Sequence, residues 1–544
     1  MRAPAVCMEM NCMLPPSKNI AHYGLAWLVL ILAPLAGALW WWNIGRPVSL
    51  PDAPSDRIAC VSYAPFRKVG ETPYDIHFVM TPERIDEDLR ALSQRFDCVR
   101  TYSQSNGLSA VPAIAARYHM QVLMGIWLGG VDKYNAKEVA EGIATANANP
   151  AAIRGIIVGN EVLLRGELSP KRLTEYIQTV RAATPKSIPV TYADVWERWL
   201  KYPQMAKTVD YVTIHILPYW EDNPVKTVDA VQHVEDVYTR MQKVFPDKQL
   251  MIGETGWPSA GRLRRSAEPS VVDEALYLRD FLRYAATVNM PYNVIEAFDQ
   301  PWKRAQEGTV GGYWGIFDSD AKPKFPMLGP VTEEPRWWLG WLAGAAGVMF
   351  FMVVGSMGRT WHGMRGWLAL LLAGFAAGTA TAWQVRKMMY ACGPLWEWVL
   401  SSVCLVLALA VATSLARRIA AHLADRFDHT EPASWWRFGS LFGLVLYDIL
   451  MAFDGRYLDF PMGLFALPCI AYALFGLLTR EHVIPSVEQR FLACVGPLLA
   501  IVPVVQEMGM NKVAWLWLGL NLAIALPVFI NWRRHAVRLQ TQQA

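Results

Sequence analysis

Seven apolar runs, each near the length a helix needs to cross a bilayer, crowd the C-terminal part of this chain. They fall at about 337–357, 366–385, 395–416, 438–453, 461–479, 491–506 and 513–532. An eighth, Tyr23 to Trp42, stands near the N-terminus and closes on Trp40, Trp41 and Trp42, an aromatic belt suited to a membrane interface. Backbone in hydrocarbon must satisfy its own polar groups, so these runs are expected to be helices. Between them, from about Arg57 to Pro330, lie most of the acids, and that part reads as soluble. The expected organisation is a cytoplasmic tail (1–22), a transmembrane anchor (23–42), a soluble domain (57–330), a seven-span region (337–532) and a second cytoplasmic tail (533–544). A cleaved signal peptide ending at Ala36-Gly37-Ala38 is the alternative to the anchor, and either way the following domain is exported.

The whole-chain averages agree with a divided molecule. Hydrophobic residues make up 53% and charged residues 18%, too apolar for a wholly soluble protein. The net charge of +4 offers no basic field for nucleic acid. The 24 tryptophans suit membrane belts or surfaces that stack on sugars.

Orientation follows from the basic residues near the spans. With the N-terminus inside, the inner segments hold Arg2, Lys18, Arg359, Arg365, Arg417, Arg418, Arg426, Arg437, Arg480, Arg490, Arg533, Arg534 and Arg538. The short outer loops hold only Arg386, Lys387, Arg456 and Lys512. Both termini are therefore expected in the cytoplasm and the soluble domain outside. Asp448, within the fifth span, either marks a polar pathway or faces a partner helix.

Eight cysteines form no CxxC pair, so no zinc site is expected, and no other metal or cofactor is implied. Cys60 and Cys98 are expected at the starts of neighbouring strands. Two buried thiols are the preferred reading there, with a disulfide as the alternative in an oxidising compartment.

Within the soluble part, short β-rich runs alternate with amphipathic stretches. The runs are 58–65, 98–103, 121–129, 153–161, 188–194, 209–216, 249–254 and 292–299. Helices are expected over Thr81 to Gln94, Ser169 to Thr184 and Ser270 to Asn289, two of them opening with a cap followed by proline, Thr81-Pro82 and Ser169-Pro170. Strands apolar on both faces and separated by helices predict a parallel sheet. Eight such units predict an α/β fold, a (β/α)8 TIM barrel, alongside the helical transmembrane region. An open doubly wound sheet is the rival, but no GxGxxG or GxxxxGK[ST] motif supports its usual ligands.

In a (β/α)8 barrel the C-terminal strand ends converge on the active site. Glu161 ends the fourth run and Glu254 the seventh, three units apart, so closure would bring both into one cleft. A lone glutamate at a strand end is ordinarily a solvated rim residue. A pair facing one another is what glycoside hydrolysis needs, one carboxyl protonated to donate and the other ionised to attack. Tyr63, Arg100 and Tyr102 end the first two runs, and His215 and Tyr219 follow the sixth. Trp257, Phe298 and Trp302 are candidates to stack on sugar rings. Glu296 and Asp299 are further acids on the eighth run, Glu296 being the fallback catalytic acid. Arg262, Arg264 and Arg265 are expected in a solvated loop.

At VGNE (158–161) and GETGWPS (253–259) the sequence resembles glycoside hydrolase family 17, the β-1,3-glucanase family within the clan of (β/α)8 retaining glycosidases. VRTYS (99–103) and YWGIFDSDAKPKF (313–325) match as well, and the resemblance covers about Arg57 to Met327. It implies that Glu161 is the general acid/base, that Glu254 is the nucleophile, and that Asn160 contacts the sugar 2-hydroxyl or orients Glu254. Arg100 would then keep Glu254 ionised. The layout of anchor, family 17 domain and multi-span tail looks like that of bacterial inner-membrane proteins that remodel β-glucans, including cyclic β-1,3/1,6-glucans. It implies a periplasm-facing β-1,3-glucan transglycosylase that works by retaining double displacement and can install β-1,6 linkages, in contact with membrane lipid and with a glucan synthase or exporter as a further partner. Plain endo- or exo-β-1,3-glucanase activity is the first alternative. A non-catalytic glucan-binding subunit is the second.

Overall fold

The computed structural model describes residues 20–75, 77–357, 362–424, 434–479 and 485–543. The N-terminal tail up to residue 19, with Arg2, Cys7, Cys12 and Lys18, lies outside these residues, as do Arg359, Arg426, Arg480 and the Arg538 side chain.

The chain enters through α1 (Ile20–Gly45), an apolar helix. Seven strands follow: β1 (Val61–Ser62), β2 (Cys98–Arg100), β3 (Gln121–Ile126), β4 (Ile153–Asn160), β5 (Val190–Val195), β6 (Val212–His215) and β7 (Leu250–Glu254). All neighbours pair parallel, in chain order. Parallel order requires crossovers, and α2 (Pro82–Leu92), α3 (Asp132–Ala148), α4 (Pro170–Ala183), α5 (Thr227–Val244) and α6 (Val271–Thr287) are the main ones. The caps explain where three of them begin. Thr81, Ser169 and Ser270 accept from the N–H groups of Arg84, Arg172 and Asp273, and prolines 82 and 170 fill first-turn positions that need no donor.

The sheet is curled. Cys60, Cys98, Leu123, Ile157, Ala193 and Met251 form one small buried cluster, separate from the larger core between sheet and helices. In a flat sheet β1 and β7 would lie roughly 29 Å apart at the usual strand spacing, too far to share a cluster. The eighth run expected from sequence is not a regular strand. Tyr292 and Val294 make isolated parallel bridges, one to Ile252 of β7 and the other to Val61 of β1. Its backbone alternates partners: the N–H groups of Asn293 and Ile295 donate to Ile252 and Thr255, those of Val294 and Ala297 to Cys60 and Ser62. Alternation of this kind is what an interior strand of a parallel sheet does, but the bridges here are isolated and form no extended ladder.

Cys60 and Cys98 are joined in a disulfide, which corrects the expectation of two thiols. Their strands are adjacent and their Cα atoms lie 4.4 Å apart, within bonding reach.

After the soluble part come α7 (Trp338–Ser356), α8 (Gly363–Ala391), α9 (Leu395–Leu423), α10 (Ser434–Asp454), α11 (Met462–Thr479), α12 (Val487–Gln506) and α13 (Lys512–Gln543). Among the described residues seven helices, α1 included, are long and apolar enough to cross a membrane. The span expected at 461–479 corresponds to α11, whose apolar stretch Met462–Gly476 is shorter. Large apolar side chains such as Leu28, Phe350 and Leu498 point outward, which suits lipid rather than water. Helices α7 and α8 meet backbone to backbone: a Cβ on Gly347 would lie 2.2 Å from the Gly374 carbonyl oxygen, so only glycine fits there. Asp448 faces a partner helix, accepting from Trp517 Nε1 at 2.6 Å and Asn521 Nδ2 at 3.4 Å.

The helical bundle grips the soluble domain directly. Two basic residues of the expected outer loops reach it, Arg456 donating to the Trp220 carbonyl and Lys512 pairing with Glu268, while Arg386 pairs with Glu333 and Glu334 in the segment that joins the two parts. Arg262 and Arg264, expected in a solvated loop, are buried here instead. Arg262 pairs with Glu507 at 2.7 Å and donates to the Leu458 carbonyl, so the β7–α6 loop is docked on the ends of α10 and α12.

Candidate active site

Glu161 follows β4 directly and opens a one-turn helix, Val162–Arg165. To turn that corner, Gly159 and Glu161 take left-handed backbone, at φ 83° and 53°. Such a conformation is uncommon for glutamate and concentrates at functional sites. Two register shifts lie alongside, between Ile157 and Asn160 in the β4–β5 pairing and between Ile214 and His215 in the β6–β7 pairing. Shifts of this kind re-aim side chains at sheet ends. Here they serve Asn160, His215 and Glu254.

The result is one cluster. Single oxygens of Glu161 and Glu254 and a nitrogen of His215 all lie within 4.8 Å of one another. His215 bridges the acids, with Nδ1 2.9 Å from Glu161 Oε1 and Nε2 3.7 Å from Glu254 Oε1. Their settings differ. The Glu161 side chain is 24% exposed and Glu254 only 7%. Arg100 lies against Glu254 Oε1 at 3.1 Å, donates to the Gly253 carbonyl at 2.7 Å, and also donates to Asn160 Oδ1. Asn160 is thereby turned toward the guanidinium that faces Glu254. Burial pushes the Glu161 carboxyl up, but the His215 hydrogen bond and the charges of His215, Arg165 and Arg100 outweigh it and hold the group below its ordinary value. The three ligand atoms could in principle surround a cation, but the Arg100 charge already occupies the Glu254 side.

Of the other sequence candidates, Tyr102 joins this cluster. Its ring lies 4.8 Å from the Arg100 guanidinium, and burial followed by the Glu254 charge raises its phenol. Trp302 stands partly exposed, edge-on to exposed Tyr74, with Nε1 donating to Gln300. Glu296 is buried and ion-paired to Lys303; burial pushes it up to about 7 against the pull of that ammonium. Four candidates are placed in packing instead. Tyr63 gives its hydroxyl to Asp88 on α2, and Phe298 is fully buried against Tyr63 and Phe317. Trp257 donates to the Glu268 carbonyl and Tyr219 to that of Arg262, the two rings meeting edge to face beneath the β7–α6 loop. Asp299 pairs with Lys324, which also holds Glu274 and Ser259.

Three residues near the cleft were not singled out from sequence. Lys303 neutralises Glu296. Glu307 is pushed up by burial and by the charges of Glu161 and Glu254, against the pull of Lys303, which puts it within electrostatic reach of both acids. Trp127, just past β3, is 37% exposed with the Arg165 guanidinium 4.4 Å from its ring. Its strand-end position was a usable signal; for Lys303 and Glu307, in short helical turns without repeat or motif, there was none.

Residues 60–315 match the family model of the BtgE/BtgC glycoside hydrolase domain. Among curated relatives, the glucan 1,3-beta-glucosidase of Arthroderma benhamiae is 28% identical over 262 residues, covering 44% of this chain and 82% of that protein. The glucan 1,3-beta-glucosidase of Saccharomyces cerevisiae is 25% identical over 263 residues, 44% of this chain and 84% of that protein. Among solved structures, an active-site mutant of a Rhizomucor miehei beta-1,3-glucanosyltransferase in complex with laminaritriose is 26% identical with a TM-score of 0.44, covering 51% of this chain and 98% of that one. The likeness to glycoside hydrolase family 17 read from VGNE and GETGWPS therefore holds over residues 60–315.

Proposed function

We propose that the protein is a membrane-anchored, retaining β-1,3-glucan transglycosylase, with Glu161 as general acid/base and Glu254 as nucleophile. The observation that carries this is the proximity of the two carboxylates, with oxygens within 4.8 Å. Retaining enzymes hold their carboxyls about 5–5.5 Å apart, whereas inverting ones leave about 6.5–9.5 Å for a water. The division of labour follows the surroundings. Glu254, buried against Arg100, suits the ionised attacking role. Glu161, more open and in contact with His215, suits the role that loses and regains a proton. Glu161 protonates the leaving oxygen as Glu254 forms the glycosyl bond; Glu161 then takes a proton from the acceptor hydroxyl that displaces Glu254. The substrate class is drawn from the glucan 1,3-beta-glucosidases that share the domain. Tyr102 and Trp302 are proposed sugar contacts, with Asn160 and His215 positioning the acids.

A closed (β/α)8 barrel is the frame this reading assumes, supported by the bonds of the eighth run to both β7 and β1. The domain limits are proposed as they stand in the sequence, 57–330 for the soluble part and 337–532 for the spans. Placement outside a bacterial inner membrane, facing the periplasm with both termini cytoplasmic, is supported by two features. The sparsely basic loops meet the soluble domain, and the disulfide suits an exported domain.

Transfer is preferred to hydrolysis because the domain is docked on a helical bundle that a scavenging glucanase would not need. The test is product analysis of the purified chain with laminari-oligosaccharides. Longer products, with β-1,6 linkages on linkage analysis, are expected. Shorter products alone would make the enzyme a β-1,3-glucanase, and unchanged turnover in both Glu161→Gln and Glu254→Gln would defeat the catalytic reading.

A further inference from the structure

Between the β7–α6 loop and the ends of α10 and α12 lies a cavity of about 280 Å³. None of its lining residues belongs to the two-carboxylate cleft. It is lined by Arg262, Arg264, Arg265 and Arg456, and by only two acids, Asp222 and Glu507. The acids do not balance the arginines. Glu507 is taken up by Arg262 at 2.7 Å and by the backbone N–H of Arg265 at 2.5 Å. Asp222 is almost wholly exposed and 3.6 Å from Arg456, a weak pairing in water.

Arg264 is the telling residue. It is buried, yet its side chain donates only to uncharged groups, the carbonyls of Tyr219 at 2.7 Å and Glu221 at 3.1 Å. Arg265 donates to Asn223 Oδ1 at 2.8 Å. Among the described residues, no carboxylate lies within ion-pair reach of either guanidinium. Arg264 and Arg456 also lie over the same ring, Trp220, at 5.5 and 5.2 Å. Burial and the nearby Arg456 push Arg264 down to about 10. Two guanidiniums share one indole, Arg264 with no acid in reach and Arg456 with only the exposed Asp222, and they make a concave site with an excess of positive charge.

We propose that this cavity binds a phosphate group of net negative charge, either the headgroup of an anionic membrane phospholipid or a soluble phosphate. The guanidinium fork is shaped for phosphate oxygens. Position favours the lipid. Lining residues Phe453 and Gln506 end the apolar helices α10 and α12, the level at which headgroup phosphates lie, and Phe453 is 89% exposed where acyl chain would pass. This step rests on reading those helices as membrane spans. It ties lipid to the loop that carries Trp257 out of β7 from Glu254.

The full chain, purified in detergent and stripped of lipid, is titrated by native mass spectrometry with short-chain phosphatidylglycerol, short-chain phosphatidylcholine and inorganic phosphate. The expected result is one tightly held phosphatidylglycerol and weak retention of phosphatidylcholine. Arg265→Gln and Arg456→Gln each weaken the bound lipid by about tenfold with the unfolding midpoint unchanged. Asp222→Asn, which removes an acid from the rim, tightens it. If inorganic phosphate binds and the lipid does not, the site stands with a soluble source. Equal retention of all three probes by wild type and variants, or of none, overturns the proposal. A failure of the membrane reading shows separately, as a chain that stays soluble without detergent.

Discussion

A carboxyl that must donate a proton is usually kept protonated by burial, yet Glu161 is drawn the other way by His215. On a free-enzyme profile its protonated form is lost early, so the alkaline limb of kcat/KM is expected at lower pH than burial alone would give. His215→Leu removes the hydrogen bond and leaves the burial. Its alkaline limb is expected to move to higher pH, and a limb that stays or falls would show that His215 does not set Glu161. The same depression contributes stability above the ordinary carboxylate range, and this is lost as the pH falls through the lowered value. Glu161→Gln is expected to reduce turnover on unactivated glucan by about a hundred- to ten-thousandfold. An aryl glycoside with a good leaving group should lose much less in the first step, because it needs little protonation.

At the level of elements, much was legible because it rests on local chemistry. Thr81-Pro82 and Ser169-Pro170 announce helix starts through cap and proline alone, and both begin there. Glu161 and Glu254 were findable because strand ends can be counted. What escaped depends on distant contacts. Cys60 and Cys98 were expected on neighbouring strands, but whether they bond depends on how close the pairing brings their Cα atoms, 4.4 Å here, which spacing does not give. Trp257 was expected to stack on sugar and Tyr219 to reach the cleft, but both donate to backbone carbonyls of loop 257–268, and nothing local in GETGWPS marks that. The eighth run has strand-like residues, yet toward β7 and β1 it makes only isolated bridges, at Tyr292 and Val294. The disulfide closes a 38-residue separation, so reducing it should cost about 2–4 kcal/mol in denaturant unfolding of the soluble part. No change on reduction would mean the thiols are free in solution.

For the whole molecule, the docking of domain on bundle matters most. Loops leaving the sheet on the Glu254 side reach the ends of the apolar helices: Arg262 holds Glu507, Asn511 donates to the Leu263 carbonyl, and Tyr313 donates to the Tyr390 carbonyl. A cleft framed by such loops is not independent of the bundle. Glu507→Ala leaves Arg262 buried without its acid and is expected to cost about 3–5 kcal/mol, with loop 257–268 opened to protease. Wild-type protection would show the docking to be incidental. On the proposed function, deleting residues 337–544 while keeping α1 should likewise lower glucan remodelling, even though Glu161 and Glu254 remain.

The account turns on Glu254 becoming bonded to sugar. Incubating the purified chain with a 2-deoxy-2-fluoro laminaribiosyl fluoride slows the second step, and the trapped peptide can be read by mass spectrometry. A glycosyl adduct on Glu254, absent in Glu254→Gln, is the predicted result. An adduct on another residue, or inactivation with no adduct, would contradict it.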